Sequence, residues 1–136
     1  MDCIFCKIIS KEISAKILYE DEDTIAFLDA FPICKGHTLV IPKKHFPQIQ
    51  DMPSKINEKL FNTVHKLISK VDTIEGSTLV LIHNGKDSGQ EIMHVHVHLI
   101  PRGPNNTDDS LNQAFKNKPK FIESEINSVF EKLKIV

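Results

Sequence analysis

The sequence predicts an α+β fold: a mainly antiparallel sheet of about five strands, covered by one long helix and a C-terminal helix.

 Three observations carry that expectation. Short apolar runs separated by tight polar turns fill the stretch from Ile17 to Pro42, the periodicity turns helical after Pro53, and two further apolar runs follow Gly76. Strands joined by short turns pair antiparallel, so the sheet follows from the turns.

The elements can be justified in order. Residues 3–10 make a short helical turn in which Ile4, Phe5, Ile8 and Ile9 are apolar. Residues 17–20 and 24–28 flank Asp21-Glu22-Asp23 and read as a hairpin. Asp29 follows at the strand end, and Pro32 stops further pairing. Residues 37–41 form a third strand ended by Pro42; His37 opens it and His45 lies beyond it, each an ordinary surface histidine if taken alone. Ile56, Leu60, Phe61, Val64, Leu67, Ile68 and Val71 recur at the three-and-four spacing of an amphipathic helix, with Asp51 or Ser54 as its cap. His65 falls off that apolar stripe and is expected in solvent. Residues 77–82 are a fourth strand, 83–90 a polar loop with two glycines, and 94–100 a fifth strand. A polar loop over 103–120 then leads to a last helix marked by Ile122, Ile126, Phe130 and Leu133. Glu123 and Glu125 near its start and Lys132 and Lys134 near its end complement the helix dipole.

Composition narrows the function classes. The 136 residues suit one domain, 1–136, with a real core. A net charge of −1 with interspersed signs argues against a nucleic-acid partner. No apolar run approaches the roughly 20 residues that cross a bilayer, and the N-terminus lacks a signal-peptide pattern. Three cysteines fit a reducing compartment, so the expected localisation is cytoplasmic.

Chemistry concentrates in His94-Val95-His96-Val97-His98-Leu99-Ile100. Strand alternation puts the three imidazoles on one face and Val95, Val97 and Leu99 on the other. Imidazoles fill space poorly, and a strand that needed only packing uses β-branched or aromatic residues. Two chemistries compete. The three histidines can jointly bind a catalytic metal that activates water, or one can attack phosphorus and carry it covalently. Metal hydrolases of phosphate compounds bring carboxylates, and only Asp87 and Glu91 are near in sequence, whereas glycines and further imidazoles are plentiful. The balance favours the nucleophile. Cys3-Ile4-Phe5-Cys6 is either a redox pair or half of a zinc site.

The row resembles the His-φ-His-φ-His-φ-φ motif of the histidine-triad (HIT) family of nucleotide hydrolases and transferases. The resemblance extends to Ile4-Phe5-Cys6-Lys7-Ile8-Ile9, Ala26-Phe27-Leu28-Asp29, Gly36-His37-Thr38-Leu39-Val40-Ile41-Pro42-Lys43, and Gly89-Gln90 through Pro101-Arg102. These match the nucleotide-binding branch in order and spacing over a core of residues 3–102, leaving 103–136 as a C-terminal loop and helix.

The resemblance implies hydrolysis or transfer at the α-phosphorus of purine nucleoside 5′-phosphoramidates, adenylates or dinucleoside polyphosphates. It makes His96 the nucleophile, His98 with Gly89, Gln90 and Glu91 the α-phosphate contacts, and His94 an orienting group. His37 stands behind the nucleophile and holds its tautomer. Asp29 takes the ribose hydroxyls, Phe5, Ile8, Phe27, Leu28 and Ala30 line the base pocket, and His83 reaches phosphate from its loop. By the same resemblance Cys3, Cys6, His45 and His94 hold a structural zinc, no organic cofactor is needed, and the chain forms a homodimer. Two residues depart from the pattern: His83 stands where an amide is common, and Glu91 where phosphoramidase members often carry serine. An ionised carboxylate only accepts hydrogen bonds and repels phosphate. The rival readings are a purine-nucleotide-binding regulatory module with little catalysis and a metal-dependent phosphohydrolase.

Overall fold

A computed structural model of the chain describes residues 2–104, 106 and 111–135. The elements run α1 (Ile4–Ile9), β1 (Ile17–Glu20), β2 (Thr24–Leu28), β3 (Thr38–Pro42), α2 (Ser54–Glu75), β4 (Ser77–Leu81), β5 (Val97–Arg102), α3 (Leu111–Lys116) and α4 (Glu123–Leu133). The five strands form one sheet in the order β1-β2-β3-β5-β4, with every neighbouring pair antiparallel. This is the α+β architecture that the alternation of turns and apolar runs predicts. Asp21 closes the first hairpin, its Oδ1 accepting from the backbone N–H of Asp23 and Thr24 at 2.9 and 2.8 Å.

Strand alternation sorts the core onto two faces. Leu18, Ala26, Leu28, Val40, Val97 and Leu99 pack against Leu60, Val64, Leu67 and Val71 of α2 and Val129 and Leu133 of α4. Full burial of aliphatic side chains such as Val97 and Leu99 stabilises by roughly 1.5–3 kcal/mol each. On the other face Ile25, Phe27, Leu39 and Ile41 meet Cys3, Phe5 and Ile8 from α1 and its leading residue. Leu39 is the register partner of His98, so His98 stands on the α1 side of the sheet.

Several boundaries differ from the sequence expectation. The fifth strand begins at Val97, not His94; His94 lies in a bend where its N–H donates to the carbonyl of Ile92 at 2.9 Å. The chain there is pulled toward the N-terminal cysteines instead of continuing the ladder. In α2, Phe61 is 39 % exposed and Thr63 is buried in its place, its hydroxyl 2.6 Å from that of Thr24. Neither Asp51 nor Ser54 caps this helix; Pro53 precedes it and Asp51 instead accepts from the backbone N–H of Gln48. Gly76 ends it in the left-handed region, at φ +112°, which glycine adopts without a Cβ clash. Of the loop expected over 103–120, residues 105 and 107–110 lie outside the described residues, and 111–116 are helical instead.

Candidate active site

The buried imidazoles are best understood through their partners, because a neutral ring donates from one nitrogen and accepts at the other. His96 places Nδ1 2.7 Å from the carbonyl oxygen of His94. A carbonyl only accepts, so Nδ1 carries the proton and Nε2 keeps its lone pair. Burial holds the His96 pKa below the ordinary imidazole value, which keeps that lone pair free at neutral pH.

A second chain of bonds sets His98. The backbone N–H of Ile33 donates to Nδ1 of His37 at 3.1 Å, so the His37 proton sits on Nε2. That Nε2 lies 2.9 Å from Nδ1 of His98 and donates to it, which leaves the His98 proton on Nε2. Among the described residues, this nitrogen is a buried polar atom without a hydrogen-bond partner. A buried donor without a partner is costly and marks a place where another acceptor belongs. The His96 and His98 rings stand edge to face with centroids 4.9 Å apart, placing an unprotonated nitrogen and a protonated one on neighbouring side chains. Burial pushes His37 down to about 4 and His98 to about 2, with neighbouring imidazoles adding to the effect at His98.

His37 is therefore wholly buried rather than a surface residue, and its partner is His98, not His96. The tautomer of His96 is held by backbone, a contact invisible in residue spacing. His65 is exposed, as its place on the helix predicts.

His94 faces a different site. Its Nε2 lies 2.8 Å from the carbonyl oxygen of Pro42 and donates to it, leaving Nδ1 as an acceptor. Nδ1 is 3.6 Å from Sγ of Cys3 and 3.7 Å from Sγ of Cys6, while His45 Nδ1 is 3.4 Å from Cys6 Sγ. All four ligand atoms lie within 4.8 Å of one another. Tetrahedral bonds of about 2.0–2.3 Å place ligand atoms about 3.3–3.8 Å apart, so these residues fit a small tetrahedral metal ion. Burial and the adjoining Cys3 raise the Cys6 pKa, a cost to the thiolate that a bound cation relieves. The less favoured alternative, one metal shared by His94, His96 and His98, does not fit, because His94 is turned into the cluster of Cys3, Cys6 and His45 that the resemblance implies.

The remaining expected residues divide. Phe5 touches both chemistries, its ring centroid 5.0 Å from that of His96 and 5.8 Å from that of His94. Phe5, Ile8 and Phe27 share one apolar cluster. Leu28 does not; it packs on the α2 side, because neighbouring strand residues point to opposite faces. Leu39 takes its place in the cluster, a residue that strict alternation from Phe27 through the β2–β3 pairing would have found. Ala30 is exposed beyond the strand end. Asp29 Oδ1 accepts from Phe31 N–H at 2.9 Å, and its Oδ2 lies 3.6 Å from His37 Nε2.

In the glycine loop, Gln90 is a brace. Its Nε2 donates to the carbonyls of Pro47 and Ile92, and its Oε1 accepts from Gly85 N–H, so its side chain has no hydrogen-bonding capacity left for phosphate. Gly89 has φ +106°, and a Cβ there would come 3.2 Å from the His83 ring. That close approach lets His83 stand edge to face with His98 at 5.5 Å. Glu91 is exposed, and its charge slightly favours the protonated form of His96. Sequence reading missed Phe115, whose ring lies 5.2 Å from both His83 and His98 and 6.1 Å from His37. It lies in a stretch expected to be loop.

Comparison with known proteins places this arrangement. The profile of the HIT domain matches residues 10–105. An uncharacterised HIT-like protein of Methanocaldococcus jannaschii is 47 % identical over 105 residues, 74 % of this chain and 78 % of the relative. An adenosine 5′-monophosphoramidase of Saccharomyces cerevisiae is 42 % identical over 102 residues, 74 % of this chain and 62 % of that protein. The crystal structure of a zinc-bound histidine triad family protein from Mycobacterium smegmatis superposes with a TM-score of 0.79 at 28 % identity, covering 98 % of this chain and 94 % of the other. With a domain match over most of its length and relatives this close, the chain belongs to the HIT family.

Proposed function

We propose that the chain is a nucleotide hydrolase or transferase acting at the α-phosphorus of purine nucleoside 5′-phosphoramidates, adenylates or dinucleoside polyphosphates. The observation that carries this reading is the pair of opposite tautomers, a lone pair on His96 Nε2 beside a proton on His98 Nε2. His96 Nε2 attacks phosphorus, an N–P bond forms, and the bond from phosphorus to the leaving group breaks with its electron pair going to that group, which takes up a proton from water where it departs as an amine. His98 Nε2–H donates a hydrogen bond to the phosphoryl oxygens as charge shifts onto them. Water then attacks phosphorus, the N–P bond breaks, and the nucleoside monophosphate leaves as the water's proton is lost to solvent.

The cluster of Phe5, Ile8, Phe27 and Leu39 supplies an apolar wall for a purine, and Asp29 an acceptor for ribose hydroxyls. Cys3, Cys6, His45 and His94 suit zinc, whose preferred ligands are thiolate and imidazole in a closed tetrahedron. When bound, the ion would cross-link the start of α1 to the turn before β5 and so hold the His94 carbonyl that orients His96. We also infer a homodimer, supported by the open edge of β4 with Val80 43 % exposed.

The similarity to a protein named for adenosine 5′-monophosphoramidase activity supports the substrate class. The metal-dependent rival has one further cluster to draw on, Asp29, His37 and His98. There the Ile33 N–H fixes a proton on His37 Nε2, the nitrogen a metal would need, so the hydrogen bond is the better account. Replacing His96 by Asn is expected to lower turnover of adenosine 5′-phosphoramidate by at least about 10⁴-fold with AMP affinity little changed. Wild-type-like turnover in that variant overturns the covalent reading, and absent turnover in wild type with tight AMP binding favours the regulatory module.

A further inference from the structure

One buried amide joins the cysteine–histidine cluster to the loop beside His98. Gln90 is 5 % exposed and holds three backbone groups at once. Its Nε2 donates to the carbonyl of Pro47 at 2.7 Å and to that of Ile92 at 3.0 Å, and its Oε1 accepts from Gly85 N–H at 2.7 Å. Pro47 lies just after His45 and Ile92 just before His94, so the amide grips the backbone beside both histidines of the cluster. The Ile92 carbonyl also accepts from His94 N–H at 2.9 Å, which shapes the bend that turns His94 toward Cys3 and Cys6. The third bond reaches the other way. Gly85 opens the turn that ends at Gly89, and Gly89 lies close against His83, whose ring faces His98. Asn84 ties the same segments through Ile49 N–H and Gln50 Oε1, but these bonds are exposed, where water competes for both partners.

Resting on the nucleotide and zinc readings above, we propose that Gln90 is a positioning residue that couples the metal cluster to the nucleotide site. With Cys3, Cys6, His45 and His94 closed on an ion, the Pro47 and Ile92 carbonyls are fixed. Fixed carbonyls hold the Gln90 amide, and the amide holds the glycine loop that faces the phosphate. Order supplied at one end is not paid for again at the other, so zinc and nucleotide each strengthen binding of the other by the same factor.

The test measures zinc affinity by equilibrium competition with a chromogenic chelator, with and without saturating AMP, in wild type, Gln90→Met and Gln90→Glu. Methionine keeps the side-chain length without any of the three bonds. An ionised glutamate keeps the bond from Gly85 N–H and loses both donors. In wild type AMP is expected to raise zinc affinity about tenfold, a common scale for coupling between sites. In both variants that ratio is expected to fall below about twofold, whatever the zinc affinity without AMP. A brace that only supports the fold weakens zinc binding equally with and without AMP and leaves the ratio standing. That result overturns the proposal, because the coupling then runs through the His94 carbonyl instead. Amide hydrogen exchange at Gly85 in zinc-loaded wild type needs no variant: AMP is expected to slow it by about fivefold or more. Unchanged exchange alongside AMP binding overturns the proposal even where neither variant folds. Wild type that holds zinc but binds no AMP locates the fault in the nucleotide reading, and wild type that binds AMP but no zinc locates it in the metal reading; the proposal falls with either.

Discussion

At the scale of single residues, the chemistry of this site is set by which nitrogen of each imidazole carries the proton. Three neighbours decide it: the His94 carbonyl for His96, the Ile33 N–H for His37, and His37 in turn for His98. All of these rings are buried and neutral, which makes them sensitive to acid. The folded pKa values of His37, about 4, and His98, about 2, lie below the ordinary 6.5. The unfolded chain therefore binds protons that the folded chain does not. Stability from these groups is fully present above pH 6.5, declines as pH falls toward 4, and continues to decline below it through His98. Thermal midpoints measured from pH 7.5 to 4.5 should fall with acidification, and His37→Asn should flatten that slope. An unchanged slope in the variant would falsify the assignment of the effect to His37.

At the scale of elements, α1 is too short to be stable alone and is held by what it touches. Phe5 and Ile8 bury one side, and Cys3 and Cys6 converge with His45 and His94 at its start. Chain purified under reducing conditions is expected to carry about one zinc per molecule. Cys6→Ser is expected to lose the ion and to lower the thermal midpoint by about 5–10 °C, the equivalent of a few kcal/mol. Equal midpoints and negligible zinc in both proteins would sink the structural-metal reading. The short helix α3 has a different standing. Its sequence carries no clear helical stripe, yet it delivers Phe115 to the histidines.

For the molecule as a whole, the sheet leaves β4 at one edge, where Ser77 and Val80 are exposed. An edge with an exposed aliphatic residue invites pairing with another copy. Under the homodimer proposal, light scattering at micromolar concentration should give twice the chain mass for wild type. Val80→Lys should shift the mass toward the monomer, because a buried unpaired ammonium opposes association. A monomeric wild type, or a lysine variant that remains fully dimeric, would count against this edge as the interface.

What the residues determine by themselves is the pattern of strands and helices and the identity of the reactive types. Alternation through Val95, Val97 and Leu99 correctly assigns the buried face, and the helical spacing from Ile56 to Val71 correctly finds α2, because these periods are properties of local backbone geometry. The motif also brings His94, His96 and His98 into one short segment. Periodicity could not assign their partners, although the family resemblance grouped His94 with Cys3, Cys6 and His45, the four residues that the fold brings together. Only the folded chain buries His37 against His98, spends the Gln90 amide on loop bracing and sets Phe115 against the site. Those contacts join residues far apart in the chain, so no local period encodes them, and the proton positions that give each imidazole its role follow from them.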